Sequence, residues 1–262
     1  MPIHHRKRAT HRRIPPLTLK IGLALLGVIL LSDIVALHFF TQIETTLTLP
    51  TTHAGATFPA GSATPTRSLT LDQQGTLAQD TFLRANQNSW GIATDGQRWQ
   101  ADAGSSPSFA IANRMGRVAN GNGIYDAILG PRISDAEIAF TGSMSRFGQS
   151  TLGAVLRWTD VNNLYKAFLN GSQLILLKDV AGNVTILKSV AFPAQAGASY
   201  TFQFRVLGAS LAARAWLANA PQPANWQVAA TDTSLSSGYG GIRVVLQNGI
   251  TAQITSFTES KL

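Results

Sequence analysis

The sequence predicts an all-β outer domain, an antiparallel jelly-roll β-sandwich, behind a single N-terminal apolar segment. From residue 108 onward apolar residues recur with period two, the pattern of strands that bury one face. Turn signals rich in Gly and Asn separate these runs. No window of about 12 residues has the period of an amphipathic helix. Many short strands joined by turns favour a sandwich over a helical fold.

The N-terminal segment predicts a transmembrane signal-anchor helix. Residues 1–20 form a basic tail without Asp or Glu, and residues 21–40 are almost wholly apolar. A helix of about 20 residues rises about 30 Å, the thickness of the hydrocarbon core. Because the next Lys or Arg is Arg67, the charge step predicts a cytoplasmic N-terminus and an extracellular C-terminal domain. The alternative is a signal peptide cleaved after Ala36, which would leave a secreted protein.

Residues 41–79 predict a flexible linker between the anchor and the outer domain. They contain 11 Thr and three Pro, and apolar periodicity is weak. The alternative is that residues 68–71, whose side chains alternate, form a strand that caps the domain. The outer domain then comprises residues 80–262.

The distribution of charge predicts contact with a membrane rather than with nucleic acid. The formal net charge is +8, and the first 20 residues carry six Lys and Arg. From Asp80 onward 14 Lys and Arg stand against 10 Asp and Glu, a small and scattered excess. The basic tail instead suits anionic lipid head groups. The chain has no Cys, which excludes disulfides and thiol chemistry and suits a bacterial exported protein.

The strands can be placed in chain order from the alternation alone. Side chains of one parity are apolar and their neighbours are small or polar in five runs, 109–111, 135–140, 155–158, 200–207 and 242–247. The turn signals between them are the segments 120–123, 160–163, 170–171, 181–183 and 238–241.

The run from Leu152 to Leu169 resembles a hairpin of concanavalin A-like lectin/glucanase jelly rolls, including laminin-G-like modules. In that family an Arg-containing strand turns through an Asp/Asn loop into a Tyr-containing strand, as Arg157, 160–163 and Tyr165 are ordered here. The opening Asp80-Thr-Phe-Leu-Arg is similar to the start of such modules in bacterial surface proteins. Further strands of the family fit the segments 174–179, 184–190, 200–206 and 211–217. The resemblance covers residues 80–262 and implies a lectin-like, carbohydrate-binding module.

The sequence predicts that the outer domain is not an enzyme. All five His precede residue 54, so no imidazole is available there for acid–base catalysis or metal binding. Retaining glycoside hydrolysis needs two carboxylates about 5–5.5 Å apart. The nearest pattern, Asp135 and Glu137, is interpreted as a solvated strand face.

Four residues are the candidate ligand-binding residues, Arg157, Lys166, Gln203 and Arg205. A four-residue loop after Asp160 would put Arg157 opposite Lys166 on one face of the hairpin. Trp158 and Tyr165 would then oppose each other on the other face, either as core residues or as a platform for a sugar ring. Two opposed cations are unfavourable without an anionic neighbour or ligand.

The charge step predicts a membrane-anchored module outside the cell, and the resemblance implies that this module binds a glycan or a surface polymer without a cofactor. The alternatives are a structural or protein-interaction module without a sugar ligand and, third, a glycoside hydrolase. A structural calcium ion stays open, since some modules of the resembling family bind one. Asp80, Asp95 and Asp126 are loose candidates, but no loop groups acidic residues densely and no ligands are assigned. The sequence does not predict the oligomeric state.

Overall fold

A computed structural model describes residues 75–262 of the chain. They form an antiparallel sandwich of two β-sheets with one short helix, which confirms the all-β prediction. The predictions for the basic tail, the anchor helix and nearly all of the linker, 41–79, lie outside the described residues. Between residues 75 and 262, no helix is both long and apolar enough to cross a membrane.

Sixteen strands and one helix follow one another along the described part of the chain. In order they are β1 (Thr76–Asp80), β2 (Gln87–Asn88), β3 (Gln100–Ala101), α1 (Asp102–Ser105), β4 (Phe109–Ala112), β5 (Met115–Val118), β6 (Gly123–Ile128), β7 (Ala136–Met144), β8 (Thr151–Asp160), β9 (Asn163–Leu169), β10 (Gln173–Val180), β11 (Asn183–Ala191), β12 (Ser199–Leu207), β13 (Ser210–Leu217), β14 (Val228–Thr231), β15 (Tyr239–Leu246) and β16 (Ala252–Lys261).

The strands divide between a nine-stranded and a seven-stranded sheet. The nine-stranded sheet has the order β14-β13-β12-β7-β16-β5-β4-β2, and β1 pairs with the second half of β16. The seven-stranded sheet has the order β11-β10-β9-β8-β15-β6-β3. Neighbours in both sheets are often distant in sequence, as in β7 beside β16. The crossing connections make this a jelly-roll type of sandwich rather than a meander.

Side chains of one parity on each strand fill the space between the two sheets. On β12 the buried residues are Tyr200, Phe202, Phe204 and Val206, as the alternation predicted. Phe140 of β7 stacks on Phe202 with ring centroids 5.3 Å apart. A second aromatic group lies near β1 and β4, where edge-to-face contacts join five buried rings, Phe82, Trp90, Trp99, Phe109 and Phe257.

Glu259 of β16 is an ionisable exception inside this apolar core. Glu259 is 0% exposed, and neither of its carboxyl oxygens has a hydrogen-bond partner within residues 75–262. The oxygens face Gly130 and Gly240, where an added Cβ would overlap them, and Ile138 lies beside Gly240. Burial raises the pKa of Glu259 to about 8, since removal from water disfavours the charged form.

Candidate functional site

Arg157 lies at a β-bulge and turns away from the strand face that the sequence predicted. Its φ is 51°, and the pairing of β8 with β9 is interrupted between Leu156 and Asp160. The bulge adds residues on one strand, so the predicted pairing is wrong: Lys166 lies opposite Val155 rather than Arg157. Tyr165 likewise lies opposite Leu156 rather than Trp158.

The guanidinium of Arg157 is a structural group that joins three loops at one end of the sandwich. Nε donates to the Ser134 carbonyl at 2.8 Å, and one terminal nitrogen donates to the Leu235 carbonyl at 2.6 Å. The other terminal nitrogen donates to the Gly208 carbonyl at 2.7 Å and to Asp135 Oδ1 at 3.2 Å. With 5% of the residue exposed and most donors occupied, Arg157 has little capacity left for a ligand.

Lys166 lies on the outer face of the seven-stranded sheet, which we call the Lys166 face. Its ammonium donates to Thr151 Oγ1 at 3.0 Å and lies 4.1 Å from the ring centroid of Phe168. Burial, reinforced by the nearby cation Arg243, lowers the pKa of Lys166 to about 7. The side chain is only 5% exposed, so this amine is packed rather than presented to solvent.

A buried ion pair on the Lys166 face holds the β8–β9 loop. Arg243 binds Asp126 through two hydrogen bonds of 2.6 and 2.8 Å. Trp158 donates its indole N–H to Asp126 at 3.0 Å, and Arg243 also donates to the Val161 carbonyl at 3.1 Å. Trp158 therefore belongs to the outer face, where it covers Val155 in a small second cluster, and not to the core.

The outer face of the nine-stranded sheet carries a more open group of polar and aromatic side chains. Gln203 and Arg205 of β12 point outward there beside Glu137 of β7 and Arg214 of β13. The connection between β13 and β14 returns over the sheet and adds Trp226. We call these five residues the Trp226 cluster.

Contacts within the Trp226 cluster fix some groups and leave others available. Trp226 has the guanidinium carbons of Arg205 and Arg214 at 4.7 and 4.4 Å from its ring centroid. Arg214 donates to Gln203 at 2.6 Å and to the Pro223 carbonyl at 2.7 Å, and Gln203 donates to Glu137. Within the described sandwich, the Arg205 guanidinium forms no hydrogen bond or salt bridge.

Glu137 supplies the acceptor of the Trp226 cluster. Burial raises its pKa above the ordinary value, against the hydrogen bond from Gln203 and the nearby charges of Arg205 and Arg214. Register places Glu137 directly opposite Arg205, and only one of its oxygens accepts the bond from Gln203. The cluster thus offers an aromatic ring, free guanidinium donors and a carboxyl acceptor on one surface.

The structure separates the four candidate ligand-binding residues into three places. Gln203 and Arg205 lie together in the Trp226 cluster, Lys166 lies on the other sheet, and Arg157 is buried among loops. The prediction that these residues form a single patch is therefore wrong. Alternation shows which side chains share one face of a strand, but it does not show to which sheet the strand belongs. The sequence reasoning missed Arg214 and the role of Trp226. Only Arg214 had a usable signal, since counting back from the β12–β13 turn pairs it with Gln203.

The carboxylates singled out from the sequence are held by N–H donors. Asp135 accepts from the Gly208 amide at 2.8 Å as well as from Arg157.

Asp80 accepts from Arg84 at 2.7 Å and from Trp99 at 2.7 Å, and Asp126 is bound by Arg243. Asp95 is exposed and accepts from backbone amides of its neighbourhood. In residues 75–262 no three acidic or His side chains gather as a metal site.

Comparison with solved structures agrees with the fold. A xylan β-1,4-xylosidase from Bacillus halodurans C-125 matches with TM-score 0.53 and 13% identity over 70% of this chain. Carbohydrate-binding module CBM66 from Bacillus subtilis matches with TM-score 0.48 and 13% identity, over 71% of this chain and 98% of the module. The VIP36 exoplasmic/lumenal domain in its Ca²⁺/Man2-bound form matches with TM-score 0.48 and 12% identity, over 72% of this chain and 88% of that domain.

The likeness to the xylosidase confirms the jelly-roll β-sandwich fold that the resemblance predicted. At such low identity it shows the fold alone, and this chain spans only 39% of the xylosidase. No protein-family model and no curated protein matches the sequence.

Proposed function

We propose that the sandwich is a non-catalytic module that binds a glycan or a cell-surface polymer through the Trp226 cluster. One observation carries the proposal: Trp226 is held on a sheet face beside a guanidinium with free donors and a carboxyl with a free acceptor. Sugar rings have an apolar face and a rim of hydroxyl groups. An aromatic ring bordered by planar polar groups matches both.

The arrangement of carboxylates favours binding over hydrolysis. Glu137 is the acidic member of the Trp226 cluster, while Asp135 accepts hydrogen bonds from Arg157 and Gly208. Hydrolysis by a retaining mechanism needs two carboxylates on either side of one bond, one of them free to act as nucleophile. The Trp226 cluster supplies one carboxyl group.

The proposal is tested by binding of the full chain, purified in a mild detergent, to a panel of immobilised polysaccharides. Trp226→Ala should weaken binding by about tenfold or more, because stacking on a sugar and the indole's hold on both arginines are lost together. Denaturant unfolding of the variant should show that the sandwich remains folded, since Trp226 is a half-exposed residue outside the core.

Trp158→Ala is the matched control, because Trp158 is also half-buried but lies on the outer face of the other sheet. It should retain polysaccharide binding. If Trp158→Ala abolishes binding and Trp226→Ala does not, the site lies on the Lys166 face and the assignment to the Trp226 cluster is wrong. If the wild-type chain binds none of the polysaccharides, glycan binding is refuted and a structural or protein-interaction module is favoured.

We also propose that the basic tail and the apolar segment 21–40 anchor this module to the outside of a cell membrane. The charge step described above supports that topology. Protease added to intact cells should remove the sandwich and spare the tail. A mature N-terminus near residue 37 would instead show a cleaved signal and a secreted module.

A further inference from the structure

The Trp226 cluster has an unbalanced positive charge. Two guanidinium groups, those of Arg205 and Arg214, face the single carboxyl group of Glu137. Burial raises the pKa of that carboxyl group and so disfavours its ionised form, which adds no further negative charge to offset the two guanidinium groups. The group therefore carries a net positive charge of about one, next to an aromatic ring, with no fixed anion to balance it.

Only one of the two guanidinium groups is free to bind. Arg214 is occupied by Gln203 and by the Pro223 carbonyl, and its function is to hold the β13–β14 connection against the sheet. Arg205 has its guanidinium beside the Trp226 ring and forms no hydrogen bond within residues 75–262. Contact with the ring restricts the Arg205 side chain, while its N–H donors stay available. Because the side chain is already restricted, less conformational entropy is lost when a planar anion binds.

We propose that the preferred ligand of the Trp226 cluster is a glycan with carboxylate-bearing sugar residues, a polyuronate. A uronic acid combines the two features that the cluster addresses, an apolar ring face for Trp226 and a planar carboxylate for Arg205. A carboxylate accepts two parallel hydrogen bonds from a guanidinium, and such charge-assisted pairs are about twice as strong as neutral ones. A neutral sugar would leave the excess positive charge of the Trp226 cluster without a counter-charge. This inference rests on the proposed function.

The test uses three polyuronates, polygalacturonate, alginate and hyaluronan, each beside its fully methyl-esterified form, with the full chain in mild detergent. Esterification removes the charge and keeps the sugar backbone. Affinity electrophoresis should show at least one of the acidic polymers binding about tenfold more tightly than its ester, the equivalent of about 1.4 kcal/mol. Added salt should weaken binding of the acid form and leave binding of the ester nearly unchanged.

Arg205→Gln should weaken binding of the acidic polymer by about tenfold and remove the preference over the ester, because the bidentate contact is lost. Arg117→Gln is the matched control, since Arg117 is a half-exposed residue of β5 on the outer face of the same sheet, three strands from β12. It makes the same change of charge and should leave binding unaffected. Equal losses in the two variants would show general charge attraction and overturn the assignment to Arg205.

The failure of this inference can be told apart from the failure of the proposed function. Binding of neutral polysaccharides or methyl esters as tightly as the acids would overturn the polyuronate preference and leave glycan binding intact. The polyuronate preference would also be overturned if dextran sulfate binds the wild type as tightly as the best polyuronate does and binds Arg205→Gln equally well. If the chain binds none of the acidic, esterified or neutral polymers, glycan binding itself is refuted.

Discussion

Replacing Glu259 by Gln should make the sandwich more stable at alkaline pH and change it little at about pH 5. The carboxyl group lies between the two sheets without a hydrogen-bond partner among residues 75–262, and burial raises its pKa from 4.5 to about 8. Between these values the unfolded chain ionises Glu259 while the folded chain keeps it protonated. Folding then takes up a proton, so the free energy of unfolding falls as pH rises and levels off above about 8.

The size of this effect follows from the gap between the two pKa values. From 4.5 to about 8, at 1.36 kcal/mol per unit, the gap corresponds to roughly 5 kcal/mol as an upper limit. The glutamine side chain of the variant cannot ionise and adds only a pH-independent cost for its buried amide. The stability difference between variant and wild type should therefore grow by several kcal/mol from about pH 5 to about pH 9.

The assay is denaturant unfolding of the full chain in detergent at a series of pH values, followed by tryptophan fluorescence. All five Trp of the chain lie between residues 90 and 226, so the signal reports on the sandwich. Glu137→Gln is the control, because Glu137 is the other Glu of the sandwich but is half-exposed and hydrogen-bonded to Gln203. Its pH slope should change much less. Parallel curves for wild type and Glu259→Gln would contradict this prediction and show that Glu259 is paired or hydrated in solution.

Three further outcomes follow from the other charged residues. Arg157→Gln should destabilise the sandwich by roughly 3–5 kcal/mol, because carbonyls of three loops and Asp135 lose their buried guanidinium donor, and thermal unfolding measures this. Arg205→Gln should change stability by less than about 1 kcal/mol in the same experiment, which separates a binding residue from a structural one. Lys166→Met should stabilise the sandwich most below about pH 7, where the wild type must bury a charged ammonium, and the gain should shrink toward the ordinary lysine pKa of 10.5.

The strands were predictable because a half-buried strand repeats in the sequence with the same period as in the structure. On β7, β12 and β15 the alternating apolar residues are the ones that fill the core. The hairpin of β12 and β13 was also within reach, since its tight turn fixes every pair, including Gln203 with Arg214. Local pattern and turn length are sufficient wherever pairing is between sequence neighbours.

The candidate site was not predictable, for two physical reasons. The bulge at Arg157 needs a positive φ at a residue other than Gly, and the sequence has no distinct signal for it. The bulge changes which residues of β8 oppose β9, so Lys166 meets Val155. The second reason is long-range: β8 and β12 belong to different sheets, and only the crossing connections decide which strands share a surface. Trp226 lies in a loop, whose return over the sheet leaves no periodic pattern.

Glu259 and Lys166, two buried groups that form no salt bridge within residues 75–262, should together determine how the stability of the sandwich changes near neutral pH. Glu259 lowers the free energy of unfolding as pH rises toward about 8, and Lys166 raises it only as pH climbs above about 7. The two contributions change stability in opposite directions and nearly cancel between about pH 7 and pH 8, so above about pH 5 the free energy of unfolding should have a minimum in that range. A double variant, Glu259→Gln with Lys166→Met, should remove the minimum, and a minimum that persists would mean that other groups titrate there.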